Sequence, residues 1–474
     1  MSARPRWRLR RDARLTLPGA TLLALLGACA LPPTPPDADC SARFATRQDA
    51  TAAVRDAQYH LLDDFPGLRS DRLLAALGPQ AASTAARRLW LQRLAANDRQ
   101  AGAIERGNLS AARRPSAAAD AQLEACRQRQ VERLAQDPQA FARAVEAARV
   151  PPDYRGWARI LGLYPLARPV YRQSIAAWQR EAAAQTAPAD AAGWLSYRPP
   201  NAAPATAGGP LRRDALGLPQ PDAAQQAELF ARHAPELRIE QRSSADRLGA
   251  PLFDHSGRRH FDGQNPTLYR QLGWSRLGQR WHLQLVYQFW FRERPKAQAL
   301  DIYAGELDGL LWRVTLDDAG NALLFDAMHP CGCWHALFLP SDSPLRFRQP
   351  AGAEQRLARR LALSGSQAAT LWLRGGDHAL LWVDARRSPW PASRYRLAAL
   401  DELRQLAHPA GRRSLYDPRG LVPGSQRAER WLLWPSGVLS PGAMRQWGRH
   451  ASAFVGQAHF DDPDLLERYL FRAE

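Results

Sequence analysis

The sequence predicts an α+β protein, an N-terminal helical bundle followed by a β-rich α+β domain. Three observations carry this. Residues 46 to about 185 are rich in Ala, Leu, Arg and Gln, with apolar positions at helical spacing. Residues 187 to 221 hold clustered prolines and glycines and little apolar surface, the composition of a linker. Beyond about residue 235 the chain carries eleven of its tryptophans, and the apolar pattern switches to alternation.

Taken in order, the elements divide the chain into an export segment (1–28), a Pro-rich tether (29–45), a helical domain (46–186), a linker (187–225) and a Trp-rich domain (226–474). Asp137-Pro138 is an N-cap followed by Pro at the first helical position, with Phe141, Val145 and Ala148 on one face. Val150-Pro151-Pro152 stops that helix, and a last helical stretch runs from Gly156 to Trp178. Residues 281–291 predict a strand with Trp281, Leu283, Leu285, Tyr287, Phe289 and Phe291 on one side and His282, Gln284 and Gln288 on the other. Leu310–Leu316 with Ala322–Phe325, and Thr370–Leu373 with Ala379–Val383, flank turn-forming residues and predict two hairpins. Ser440-Pro441 and Asp462-Pro463 signal two late helices.

The N-terminus points to export. Six arginines against one acid precede an apolar run, Leu15 to Ala28, shorter than the roughly 20 residues a bilayer span needs. The run ends Leu26-Gly27-Ala28-Cys29, which resembles the lipobox of bacterial lipoproteins. That resemblance implies cleavage before Cys29 and lipidation of Cys29, so that a membrane partner is reached through acyl chains. Ala30, where the Gram-negative pattern would place Asp for inner-membrane retention, implies the outer membrane, with the body facing the periplasm.

The formal net charge is +18, of which residues 1–28 supply six Arg and one Asp, leaving +13. The arginines are dispersed among acids, and an exported chain does not meet nucleic acid, so the partners expected are the membrane, an anionic envelope polymer or another protein. Lys296 is the sole lysine and sits in Arg-Pro-Lys-Ala-Gln, which excludes a Walker A loop and disfavours Schiff-base chemistry. No Gly-x-Ser-x-Gly elbow or His-Glu-x-x-His helix is present.

Beyond Cys29, four cysteines remain, and Cys40 with Cys126 is the expected long-range disulfide. The other two lie in His329-Pro-Cys331-Gly-Cys333-Trp-His335. His329, Cys331, Cys333 and His335 are candidate ligands for zinc or another transition metal, joined by distant ligands such as His378 or His450. An extended segment would spread them over about 20 Å, so a metal requires the loop to curl. A redox-active Cys331/Cys333 pair and plain structural packing are the other readings. Candidate acid/base groups are the pair Glu306 and Asp308 and the dyad Asp377-His378.

The run from Asp308 to Leu316, followed by the His-Pro-Cys-Gly-Cys-Trp-His segment, is similar to a family of uncharacterised bacterial lipoproteins over most of the C-terminal half. The resemblance implies an envelope location and supplies no activity. Three functions stay open: a binding or structural module, a metal-dependent hydrolase, and a thiol-redox protein.

Overall fold

The computed structural model describes residues 36–188, 193–200, 210–385 and 391–472. Cys29 and residues 1–28, expected to be an export segment, lie outside the described residues.

The N-terminal region is helical. Helices α1 (Pro36–Thr51), α2 (Arg72–Leu77), α3 (Thr84–Asn108), α4 (Ala117–Gln136) and α5 (Pro138–Ala147) are followed by α6 (Gly156–Leu161) and α7 (Tyr164–Ala183). Asp71, Ser83, Ser116 and Asp137 cap α2 to α5 with their side-chain oxygens. The helices begin ten residues earlier than the periodicity suggests, and the stretch 156–178 is two helices. Leu163 takes φ +46° between them. Cys40 of α1 and Cys126 of α4 form a disulfide. Trp90 of α3 fills the centre of the helical core, edge-on to Phe141, with its indole N–H donated to the Leu74 carbonyl at 2.7 Å.

The strands are β1 (His60–Leu61) and β2 (Arg69–Ser70), which pair inside the helical region, then β3 (Trp194–Arg198) and β4 (Glu236–Glu240) around helix α8 (Ala223–Arg232). There follow β5 (Leu248–Phe253), β6 (Arg259–Asp262), β7 (Thr267–Leu277), β8 (Arg280–Arg294), β9 (Gly305–Leu316), β10 (Ala322–Met328) and β11 (Ala336–Leu339). Next come β12 (Leu345–Phe347), β13 (Leu357–Arg360), β14 (Thr370–Leu373), β15 (Leu380–Asp384), β16 (Ser393–Arg394) and β17 (Arg396–Ala399), and the short β18 (Leu406–His408), β19 (Gly411–Arg413) and β20 (Leu470–Arg472) complete the series. A nine-stranded sheet runs β13-β11-β10-β9-β8-β5-β6, with β7 also on β8 and β17 on β7. A five-stranded sheet runs β15-β14-β4-β3-β16.

The two sheets share one core: Leu283, Leu285, Tyr287, Phe289 and Phe291 of β8 pack with Leu237 and Ile239 of β4 and with Leu371 and Leu373 of β14. The predicted alternation along β8 therefore holds. Its other face, with Gln284, Val286 and Gln288, is buried too, because the chain after residue 415 folds across it. Both predicted hairpins form, as β9–β10 and β14–β15. The two late helices do not. Ser440 takes φ +47° ahead of a turn, and Asp462 accepts the His459 N–H in another. Behind Pro441, Gly442 and Gly448 take left-handed conformations, and behind Pro463 the chain makes only the short 3-10 turn Leu466–Arg468 before a strand. The linker stretch contributes β3 to the smaller sheet, and Leu216 and Leu218 to the helical core.

Helices and sheets meet through buried ion pairs. Arg404 Nε donates to Asp56 Oδ2 at 2.5 Å, and Arg449 bonds Asp153 at 2.6 Å. Opening the disulfide frees a segment of 86 residues, so a Cys40→Ser/Cys126→Ser double variant is expected to lose about 3–5 kcal/mol in urea unfolding.

Candidate functional site

The candidate site assembles where β9 starts, where the β10–β11 loop turns and where the β14–β15 hairpin closes. In the loop, the His329 N–H donates to the Cys333 carbonyl at 3.0 Å and the Gly332 N–H to the His329 carbonyl at 2.9 Å. The segment therefore curls tightly. Gly332 has φ +92°, and a Cβ there would lie 2.0 Å from the Ala451 carbonyl oxygen, so only glycine fits. Trp334 is left-handed at φ +63° and packs on Trp178 of α7 at 4.9 Å. Buried Arg445 holds the loop from behind, donating its backbone N–H to the Pro330 carbonyl and Nε to the Cys331 carbonyl, at 3.0 and 3.1 Å.

Asp308 is the centre of the charge arrangement. His378 Nδ1 lies 2.9 Å from its Oδ2, His329 Nδ1 3.3 Å from its Oδ1, and Arg427 3.6 Å from Oδ1. Burial pushes the Asp308 carboxyl up, but the histidine hydrogen bonds and the Arg427 charge outweigh it and hold it well below the usual carboxylate range. The other ring nitrogen of His378 reaches Asp246 at 3.3 Å, and the ring stacks on Phe291 at 3.8 Å. Burial lowers the His378 pKa, yet its two carboxylate partners raise it above the ordinary histidine value, favouring a buried imidazolium.

Several candidate residues are not brought together as the sequence suggested. Glu306 and Asp308 do not form an acid/base pair. Leu307 between them is left-handed at φ +56°, Glu306 turns out to Arg259, and Asp308 turns in. Asp377 and His378 part company likewise, Asp377 making a two-pronged pair with Arg374 at 3.0 and 2.8 Å. The four-ligand metal set does not assemble. His335 is directed to Asp326, with its Nε2 at 2.8 Å, and lies edge-on to Phe460, while His329 serves Asp308. Among the described residues no group of three or more His, Cys, Asp or Glu is placed to hold a metal. His450 is buried elsewhere, against Trp447.

The thiols do come together. Cys331 and Cys333 are free and buried in one apolar cluster, one glycine apart on the tight turn. Interaction with the Cys333 thiol pulls the Cys331 thiol down, against the effect of burial, with His329 and Arg427 acting in the same direction. The same interaction, with burial, pushes Cys333 well up. Cys333 lines a chamber of about 100 Å³ with Trp178, Tyr303, Trp334 and Glu429, and His329 faces a neighbouring one of about 300 Å³. Burial raises the Glu429 carboxyl to about 7, despite Arg427, Arg294 and Arg445.

No family model, curated protein or solved structure matches this chain. Its chemistry is read from the site alone. Asp246, Arg427, Glu429 and Trp178 belong to the site without any local sequence signal, because they reach it from segments distant in the chain.

His378→Asn leaves two buried carboxylates short of a cation and is expected to cost about 3–5 kcal/mol. Because the folded His378 pKa is raised, its contribution is fully present below about pH 6.5 and fades as pH rises through the folded value. The gap in urea midpoint between wild type and variant should therefore be widest near pH 5–6 and narrow above; a pH-independent gap would refute the imidazolium.

Proposed function

We propose that this chain is a membrane-anchored envelope lipoprotein whose chemistry is thiol–disulfide exchange at Cys331 and Cys333. The anchoring rests on the Leu26-Gly27-Ala28-Cys29 motif, and the chemistry rests on one observation, two free thiols on a single tight turn with Cys333 on a chamber wall. The environment stabilises the reduced pair, and a stabilised reduced form makes the corresponding disulfide an oxidant.

In the oxidised form, a substrate thiolate attacks Cys333 Sγ, which borders the chamber. The Cys331–Cys333 bond breaks, and Cys331, the sulfur with the lower pKa, leaves as thiolate. A second substrate thiolate then attacks the substrate sulfur of the mixed disulfide, and Cys333 leaves. The substrate dithiol loses two electrons and becomes a disulfide, while its two protons end on Cys331 and Cys333. Glu429, on the same chamber with a pKa of about 7, is suited to pass those protons. An external disulfide such as glutathione disulfide restores the pair.

Equilibration of the protein in glutathione buffers, read by thiol alkylation and mass, should show a two-electron couple above about −200 mV that a Cys331→Ser variant lacks. A pair that stays reduced at every glutathione ratio would sink the reading. Glu429→Gln should flatten the pH dependence of exchange near pH 7 without moving the potential by more than about 15 mV.

A second reading, binding of an envelope polymer, draws on a different place. A cleft of about 480 Å³ lies between the helices and the larger sheet. Tyr59, Trp274 and Trp447 line it beside Asn97, Gln100 and Gln271. Aromatic faces with amides around them suit sugar rings. Soluble peptidoglycan fragments should quench the intrinsic tryptophan fluorescence saturably, and Trp447→Ala should weaken the effect at least about tenfold; no quenching at millimolar fragment would remove this reading.

A further inference from the structure

Of the twelve large apolar side chains exposed among the described residues, nine lie on one face. Trp157, Ile160 and Leu161 of α6, Leu163 between the helices, and Leu166 and Val170 of α7 form one part. Trp431, Leu432 and Trp434, on and after α9 (Arg430–Leu433), form the other. The two parts are joined. The Arg155 N–H donates to the Gly437 carbonyl and Arg159 Nε to the Ser436 carbonyl, both at 2.7 Å, and Gly162 packs so closely on Pro435 that a Cβ would come within 2.5 Å of it. Leu161 and Trp431 stand open to solvent, at 70 and 69 % exposure. A contiguous apolar face of this kind on a water-facing body marks a docking surface.

Charge identifies what docks. From Tyr154 to Arg180 the chain has five arginines and no acid, in a protein where acids elsewhere interleave the arginines. Arg155 and Arg430 sit beside the exposed Trp157 and Trp431 rings, at 5.9 and 4.7 Å from their centres. The one acid within α9 and its flanks, Glu429, is buried. Tryptophan and aliphatic side chains fringed by arginine, with acids withdrawn, match the interface between acyl chains and anionic headgroups. No helix among the described residues is long and apolar enough to cross a membrane; a face of this composition suits the interfacial plane.

We infer that the face built by α6, α7 and α9 docks onto the surface of a bilayer carrying anionic lipid, with Trp157, Leu161, Leu166 and Trp431 entering the acyl boundary. The inference does not depend on the thiol reading. It sharpens the anchoring reading, since seven residue steps from Cys29 to Pro36 span at most about 25 Å and keep the body within reach of the membrane. Tyr171 and Ile175 of α7 and Leu433 of α9 also wall the Cys333 chamber, so docking sets that chamber beside the lipid surface.

The test uses the chain from residue 30 onward, which retains every described element and lacks the lipid, with vesicles of phosphatidylethanolamine and phosphatidylglycerol. It should co-sediment with them at low salt, bind less as salt rises, and have its tryptophan fluorescence quenched by brominated acyl chains. A Trp157→Ser/Leu161→Ser/Trp431→Ser variant should lose binding by roughly a hundredfold while keeping the wild-type circular dichroism and melt. Should that variant misfold, the singly changed Leu166→Ser and Leu432→Ser chains should each lose about fivefold. Absence of vesicle binding by the wild type, or equal binding by folded variants, would overturn the inference. So would concentration-dependent dimerisation that the variants abolish without any vesicle binding, since it would give the face to a second copy. Failure of the thiol couple would leave these results unchanged, and cleavage and lipidation at Cys29 are read separately by the mass of the full chain.

Discussion

The buried carboxylate of Asp308 holds together the part of the molecule where chemistry is concentrated. It meets His329 from the β10–β11 loop, His378 from the β14–β15 hairpin and Arg427 from the C-terminal segment, and His378 passes the connection on to Asp246. A carboxylate at 2 % exposure survives only with such partners, because desolvation of an unpaired charge costs several kcal/mol. The backbone yields to this arrangement. Leu307 and His378 both take left-handed conformations that L-residues avoid, and Arg427 donates to the Leu307 carbonyl at 2.7 Å, fixing the reversal that turns Asp308 inward.

The same logic recurs where helices meet sheets. Asp98 and Glu105 of α3 are fully buried and take Arg47, Arg69 and Arg127 as partners, while Asp153 takes Arg72 and Arg449. A chain with one lysine and many arginines can bury charge in this way, since the planar guanidinium donates to two carboxylate oxygens at once. Dispersed arginine, which at first sight reads as a solvated surface, is in good part internal wiring.

What the sequence made legible was local. The β9–β10 and β14–β15 hairpins follow from alternation on either side of turn residues, and α5 follows from Asp137-Pro138 with an apolar stripe behind it. After Ser440-Pro441, where glycines turn left-handed at 442 and 448, and after Asp462-Pro463, where the apolar residues pack from a short 3-10 turn and a strand, the same proline signal closes turns. Spacing two likewise fails as a guide to a shared face at Glu306 and Asp308, because one left-handed residue between them reverses the alternation. The His-x-Cys-x-Cys-x-His run drew attention to the right loop. Its two histidines serve different carboxylates on opposite sides, Asp308 and Asp326, and those partners were visible only once β9 and β10 were paired. Glu429 and Trp178 carry no signal in their own neighbourhoods at all.

The two cysteine pairs show how one chain can hold opposite redox states without contradiction. Cys40 and Cys126 join two helices whose packing already places them side by side, so the bond adds constraint to the unfolded chain and little to the folded one. Cys331 and Cys333 are separated by one glycine inside a turn fixed by the His329–Cys333 backbone bond, the Arg445 contacts and the close approach to Ala451. Closing a disulfide there makes a very small ring against that fixed backbone, whereas the dithiol form keeps every one of these bonds. The turn that separates the second pair from the first is one that a side chain at position 332 would break, since a Cβ there would meet the Ala451 carbonyl.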